Sequence, residues 1–255
     1  MQVETLIEKS CTSIGEGPHW DERTQQLLYV DINEGCFHRW TAATGVDEVY
    51  KFDKYCTLVV PCRKGGYLVS VGQSICHFDW DTKKLTTLGT VDEGKDTRIN
   101  DGKCDPSGRL WFAKVEKHMG SLFSLETDGT IRKHKEGVSI SNGLAWTEDN
   151  RTIMENFKTH GFPDGMTIDT EGKLWVAGFF SSSVMRYDPE TGKELSRVPI
   201  PAAHCTSCCF GGKNFDELFI TCSAFGVTDE EKEKTPLAGS VFRATGLGAR
   251  GKPAP

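Results

Sequence analysis

The sequence predicts an all-β fold, a six-bladed β-propeller, on three observations. One hairpin unit recurs six times, its copies are spaced as propeller blades are, and no segment sustains a 3.6-residue apolar period for several turns. The clearest copies are Gly102-Lys103-Cys104-Asp105-Pro106-Ser107-Gly108-Arg109-Leu110-Trp111-Phe112 and Gly165-Met166-Thr167-Ile168-Asp169-Thr170-Glu171-Gly172-Lys173-Leu174-Trp175-Val176. Each reads as a strand, a tight turn carrying Asp and Gly, and a second strand. Weaker copies turn at Trp20, Cys62, Trp146 and Phe210, and third strands follow at Cys36–Trp40, Ser121–Leu125 and Val184–Asp188.

Equivalent turn positions at 20, 62, 105, 146, 169 and 210 give spacings of 42, 43, 41, 23 and 41. A propeller blade takes roughly 40 to 50 residues, so four of the five spacings fit and the fourth unit is short. Gly102 to Gly143 spans 41 positions but Gly143 to Gly165 only 22. The fourth blade is therefore expected to be incomplete, thinned to about two strands, with an exposed edge that favours self-association. Val3 to Ile7 is expected to pair beside Ser240–Ala244 in the last blade, which removes a free sheet edge. Residues 1–255 read as one domain, a size that repeat-built all-β units commonly reach.

Composition narrows the function classes. The net charge of -6 and pI near 5.7 leave no basic surplus to displace counterions from phosphate, so neither nucleic acid nor an anionic membrane is expected as a partner. The stretch Met1 to Lys9 has no basic segment followed by an apolar one, and no run approaches the roughly 20 apolar residues of a membrane span. The expected location is the cytoplasm, with the 10 cysteines reduced. The tight cluster Cys205-x-x-Cys208-Cys209 lacks the second Cys or His pair of a zinc site and reads as buried strand cysteines.

Four units place a polar residue just before a glycine at the head of the first strand: Glu16-Gly17, Asp101-Gly102, Asn142-Gly143 and Asp164-Gly165. Taken singly, such pairs are ordinary turn formers. At one repeat position of a propeller they converge on the channel, where four oxygen-bearing side chains form a donor set for a hard divalent cation.

The segments Ile14-Gly15-Glu16-Gly17-Pro18-His19-Trp20, Arg98-Ile99-Asn100-Asp101-Gly102-Lys103, Ile140-Ser141-Asn142-Gly143-Leu144-Ala145-Trp146 and Phe162-Pro163-Asp164-Gly165-Met166, with the ending Thr245-Gly246-Leu247-Gly248, resemble the regucalcin, senescence marker protein and gluconolactonase family, which includes luciferin-regenerating enzyme. The resemblance implies metal ligands at Glu16, Asn142 and Asp164, three of the four positions that the repeat selects. It implies substrate contacts at Arg98, Asn100 and Glu116, and one divalent metal ion, Ca2+, Zn2+, Mn2+ or Mg2+. Arg98 and Asn100 lie two apart and so share a strand face. The loop after Trp111-Phe112-Ala113, which carries Glu116, is shorter than the family pattern.

The activity implied is hydrolysis of a small-molecule sugar lactone such as gluconolactone, with the metal polarising the carbonyl and Asp164 as general base. No Gly-x-Ser-x-Gly elbow is present. Two other readings stand beside it: a calcium-binding regulatory protein of the same family without turnover, and a propeller used as an interaction platform.

Overall fold

Two aspartates show why the repeat folds as it does. Asp105 and Asp169, the turn residues of the two clearest units, are both fully buried. Asp105 Oδ1 accepts the backbone N–H groups of Ser107 (2.9 Å) and Arg109 (3.0 Å), while Oδ2 accepts Arg109 Nε (2.7 Å) and Trp111 Nε1 (2.9 Å). Asp169 repeats the pattern with the N–H groups of Glu171 and Lys173, both at 2.9 Å, and with Trp175 Nε1 (3.0 Å) and Arg186 Nε (2.8 Å). One carboxylate thus closes the turn with one oxygen and fixes the following strand's tryptophan with the other. Burial alone would raise the Asp105 pKa, but these bonds hold it below the usual carboxylate value.

The computed structural model describes residues 1–94, 98–115, 120–138, 142–146, 152–153 and 162–253. Strand β1 is Gln2–Ile7. The first blade holds β2 (Gly15–Asp21), β3 (Gln26–Asp31), β4 (Cys36–Thr41) and β5 (Asp47–Lys51), and the second β6 (Val59–Pro61), β7 (Tyr67–Val71), β8 (Ser74–Phe78) and β9 (Leu85–Thr90). The third comprises β10 (Arg98–Cys104), β11 (Leu110–Val115), β12 (Gly120–Leu125) and β13 (Ile131–Val138). A two-stranded ladder of β14 (Ala145–Trp146) and β15 (Thr152–Ile153) follows. The next blade has β16 (Phe162–Ile168), β17 (Leu174–Phe179), β18 (Ser183–Tyr187) and β19 (Glu194–Pro199). In the last, β20 (His204–Gly211), β21 (Glu217–Ser223) and β22 (Val241–Thr245) are completed by β1, which pairs antiparallel with β22 through Val3 opposite Ala244.

The propeller therefore has five four-stranded blades and not the six that the repeat count led us to expect. The reason is length. The 22 positions between Gly143 and Gly165 are too few for four strands and their turns, and the fourth unit contributes only the β14–β15 ladder among the described residues.

The core lies between blades. Phe37 of β4 meets Phe78 of β8 and Trp80 edge-on, at 6.2 and 5.1 Å, between the first two blades. Trp175 of β17 meets Phe210 of β20 at 5.4 Å. Each such ring, fully buried, stabilises the packing of two blades by about 2 to 3 kcal/mol. The sequence showed no helix, yet one short helix is present, α1 (Asp229–Lys234), started by a capping box of Thr228 and Glu231. No helix among the described residues is long and apolar enough to cross a membrane.

Replacing Asp169 by Ala should strand two backbone and two side-chain donors. The expected loss is about 3 kcal/mol, which lowers Tm by about 6 to 12 °C for a chain of this size. Asp128→Ala, at an exposed turn with a similar bond to Thr130 N (2.9 Å), should change Tm little. Equal shifts for the two variants in thermal unfolding would show that the buried carboxylate is not what holds the repeat together.

Candidate functional site

In four innermost strands the ladder slips, in three of them beside the polar residue. On β2 the slip falls between Glu16 and His19, on β10 between Ile99 and Asp101, on β16 between Pro163 and Met166, and on β20 between Cys205 and Ser207. Each slip inserts one extra residue, a β-bulge, which bends the strand and re-aims the side chains beside it.

The bulged segments touch in sequence around the channel. Thr206 Oγ1 donates to the Gly15 carbonyl at 2.5 Å and joins β20 to β2. A Cβ on Gly165 would lie 2.0 Å from Ser207 Oγ and 2.9 Å from Ser207 Cα, so only glycine lets β16 approach β20 this closely. Gly143, at φ +66°, has the same constraint: its Cβ would lie 2.9 Å from the Asp164 carbonyl oxygen and 2.7 Å from Met166 Cε.

Asn142 and Gly143 are thus wedged directly against β16, and two hydrogen bonds tie them to β10 on the other side. Asn100 Nδ2 donates to Asn142 Oδ1 at 2.6 Å, and Gly143 N–H donates to Asp101 Oδ2 at 3.0 Å. Arg98 Nη1 extends the chain with bonds to Asn100 Oδ1 (2.9 Å) and the Ile99 carbonyl (3.2 Å). Ile99 between them is fully buried, so Arg98 and Asn100 do face away from the core together. Alternation alone does not explain this, because Asn100 is itself the extra residue of the β10 bulge. Glu116 lies outside the described residues.

Charge is concentrated at one place in this ring. Burial raises the Glu16 pKa well above the usual value, and the carboxylates of Asp164 and then Asp101 raise it further, against smaller opposing effects of the Gly17 N–H (2.6 Å) and Arg98. Burial and Asp101 likewise raise Asp164 well above its ordinary value. Asp101 is raised by burial but eased by the N–H groups of Gly102 and Gly143. Three carboxylates therefore share a desolvated space with the Arg98 guanidinium acting on Glu16 and the Lys103 ammonium on Asp101, which leaves a surplus of negative charge that a cation relieves.

The donor set suits a hard divalent ion: Glu16 and Asp164 as carboxylates and Asn142 as an amide oxygen. Asp101 stands apart, since both its oxygens already accept backbone N–H groups. Consistent with that, no three His, Cys, Asp or Glu side chains among the described residues surround one point as a metal cluster. A cleft of about 820 Å³ between the first two blades, lined among others by Glu34, Lys54, Tyr55 and Gln73, contains none of the predicted site residues.

Sequence reasoning passed over Lys103, whose Nζ donates to the Met166 carbonyl at 3.2 Å and so joins β10 to β16. Its place two residues after Asp101 was the only signal. Cys205, Cys208 and Cys209 are buried and unpaired, as are the other buried cysteines.

Fold and ring together define a propeller with an oxygen-lined channel. The family model described as SMP-30/Gluconolactonase/LRE-like region matches residues 14–155 and 152–224, and the chain belongs to that family. The two matched stretches meet in the short fourth unit. Regucalcin from Danio rerio is 38% identical over 287 residues, covering 99% of this chain and 97% of the relative. Regucalcin from Oryctolagus cuniculus is 36% identical over 291 residues, with the same coverage of 99% and 97%. Both alignments exceed the 255 residues of this chain, so these relatives carry residues with no counterpart here. Among solved structures, a luciferin-regenerating enzyme superposes with a TM-score of 0.89 at 31% identity, covering 99% of this chain and 98% of the other.

Because Asp164 is held above its ordinary pKa, the folded protein keeps a proton there that the unfolded chain releases. Its contribution to stability is fully present below the ordinary carboxylate range and is lost as pH rises toward and through the raised pKa. In chelator, Asp164→Asn should therefore gain Tm over the parent by an amount that grows as pH rises from about 4 toward neutrality. A difference independent of pH would contradict the crowded-carboxylate description.

Proposed function

We propose that this chain is a metal-dependent hydrolase of a sugar lactone, acting in the propeller channel. What supports the reading is that burial and then the Asp164 charge raise the Glu16 pKa, that burial and then Asp101 raise Asp164, and that Gly143, next to Asn142, packs against the Asp164 carbonyl. Family membership supports the hydrolase class. Glu16, Asn142 and Asp164 would hold one divalent ion, which supplies Lewis-acid polarisation of the lactone carbonyl.

The chain's own residues do the rest. Asp164 accepts the proton of the attacking water across one hydrogen bond. The water oxygen bonds to the carbonyl carbon, the ring C–O bond breaks, and the leaving alkoxide takes up a proton to give the hydroxy acid. Arg98 and Asn100, already bonded to one another, present N–H donors to sugar hydroxyls. Glu116 is the third contact that the family pattern assigns. The Asn100–Asn142 bond links the substrate side of this arrangement to its ligand side.

Hydrolysis of gluconolactone by the purified protein, with Ca2+, Mn2+, Zn2+ or Mg2+ and then with chelator, tests this. Activity should require metal, and Asp164→Ala should cost about 10²- to 10⁴-fold. Asp101→Asn, which keeps an acceptor for the Gly143 N–H, should cost much less. Equal losses would show that the shared repeat position, and not the Glu16, Asn142 and Asp164 set, decides the site. Metal binding without any hydrolysis would favour the second reading, a calcium-binding protein without turnover.

A further inference from the structure

Further along the same strands the lining changes character. Three residues beyond Glu16 on β2 and two beyond Asp101 on β10, His19 and Lys103 border a second cavity of about 170 Å³. Its walls are mostly apolar, with Trp20, Trp146, Phe210 and Phe215 among them. The C-terminal segment also borders it, held by the Gly251 N–H to the Phe215 carbonyl at 2.8 Å. None of Glu16, Arg98, Asn100, Asp101, Asn142 and Asp164 lines this space.

The cavity contains a positive charge with no ion-pair partner among the described residues: the carboxylate that acts on it, Asp101, already accepts backbone N–H groups with both oxygens. Lys103 makes one hydrogen bond, to the Met166 carbonyl, and no ion pair among the described residues, although an ammonium has three N–H groups to place. Burial lowers its pKa and outweighs the nearest carboxylate field, that of Asp101. The other titratable walls do not compensate: Lys252 is a second cation, and burial pushes the Cys104 thiol up to about 12. Burial, and then the Lys103 charge, push His19 down to about 4, so it is neutral near pH 7. Burial pushes the Cys209 thiol up to about 12, so it is no counter-ion. A second donor stands on the wall: Trp20, 4% exposed, has a buried indole N–H without an acceptor among the described residues. Buried donors without acceptors carry a free-energy penalty that a ligand oxygen removes.

We infer that this cavity is a second binding site, for a small carboxylate with a single ring or a comparable apolar body. The unpaired ammonium selects the anion, and the aromatic walls select its apolar body. The volume sets the size, since a cavity of about 150 Å³ holds one benzene ring. The site is independent of the lactonase reading, because it shares no residue with the carboxylate ring.

Benzoate, benzyl alcohol and gluconate serve as probes, titrated into the full-length protein in chelator, with tryptophan fluorescence and calorimetry as readouts. Chelator keeps the probes from binding through a metal in the carboxylate ring. Benzoate should bind saturably, with benzyl alcohol at least about tenfold weaker because it lacks the charge-assisted bond. Gluconate, which has the charge but no apolar body, should also be weaker. Lys103→Met should weaken benzoate by about tenfold or more and leave benzyl alcohol unchanged. Absence of saturable benzoate binding, equal affinity for benzoate and benzyl alcohol, or unchanged benzoate affinity in Lys103→Met would each overturn the site and leave Lys103 as a tie between β10 and β16. Should Lys103→Met not fold, Ile168→Phe, which fills the cavity from β16, should abolish benzoate binding, and its failure to do so would equally overturn the inference.

Discussion

Desolvation of three carboxyl groups around one axis, with the repulsion it brings, is the cost that the other contacts of this structure offset. A propeller brings the first strands of its blades to one axis, and in this chain those strands carry Glu16, Asp101 and Asp164 at corresponding positions. Burial is the first cause that raises each carboxyl pKa; Asp164 and Asp101 raise Glu16 further, and Asp101 raises Asp164. Such a ring does not stabilise the fold. It is held in place by contacts made elsewhere: the buried turn aspartates, the aromatic rings between blades, and the pairing of β1 with β22. The fold supplies the stability, and the ring stores unfavourable charge that a cation can release.

The shortened fourth unit shows how local these requirements are. Outer strands cover a blade, whereas the inner strand alone faces the channel. With the β14–β15 ladder as its only sheet among the described residues, the unit still places Asn142 between Asp164 and Asn100, because a glycine permits close approach to β16 and two hydrogen bonds secure it to β10. Lys103 reaches from β10 to the Met166 carbonyl on β16 and ties the same two blades. Neighbour contacts of this kind let a repeat lose its periphery and keep its contribution to the axis.

Much of this was legible in the sequence because the signals were local. The Asp105 and Asp169 turns announce themselves by Asp and Gly at fixed offsets from a tryptophan, and the structure gives the cause, one carboxylate bonding both turn and indole. The polar residue before glycine at Glu16, Asp101, Asn142 and Asp164 was visible for the same reason. The blade count was misjudged because hairpin turns recur whether or not the strands behind them are complete. The bulges were invisible, since an extra residue changes pairing without changing local composition. They also decide how Arg98 and Asn100 meet, which two-residue alternation predicted on incomplete grounds. The one signal at Lys103, its place two residues after Asp101, was weak because a lysine in a polar strand is ordinary until its contacts are known.

Whether Glu16, Asn142 and Asp164 meet at one point beside the short fourth unit is decided by thermal unfolding during titration with Ca2+, Mn2+ or Mg2+. At about 100 times Kd, a single site adds about 2.7 kcal/mol, or roughly 5 to 10 °C in Tm for a chain of this size. That shift should be present in the parent and absent in Asp164→Ala. No shift with any of these ions would mean that the three oxygen donors do not meet at one point, and the account of the channel would fail.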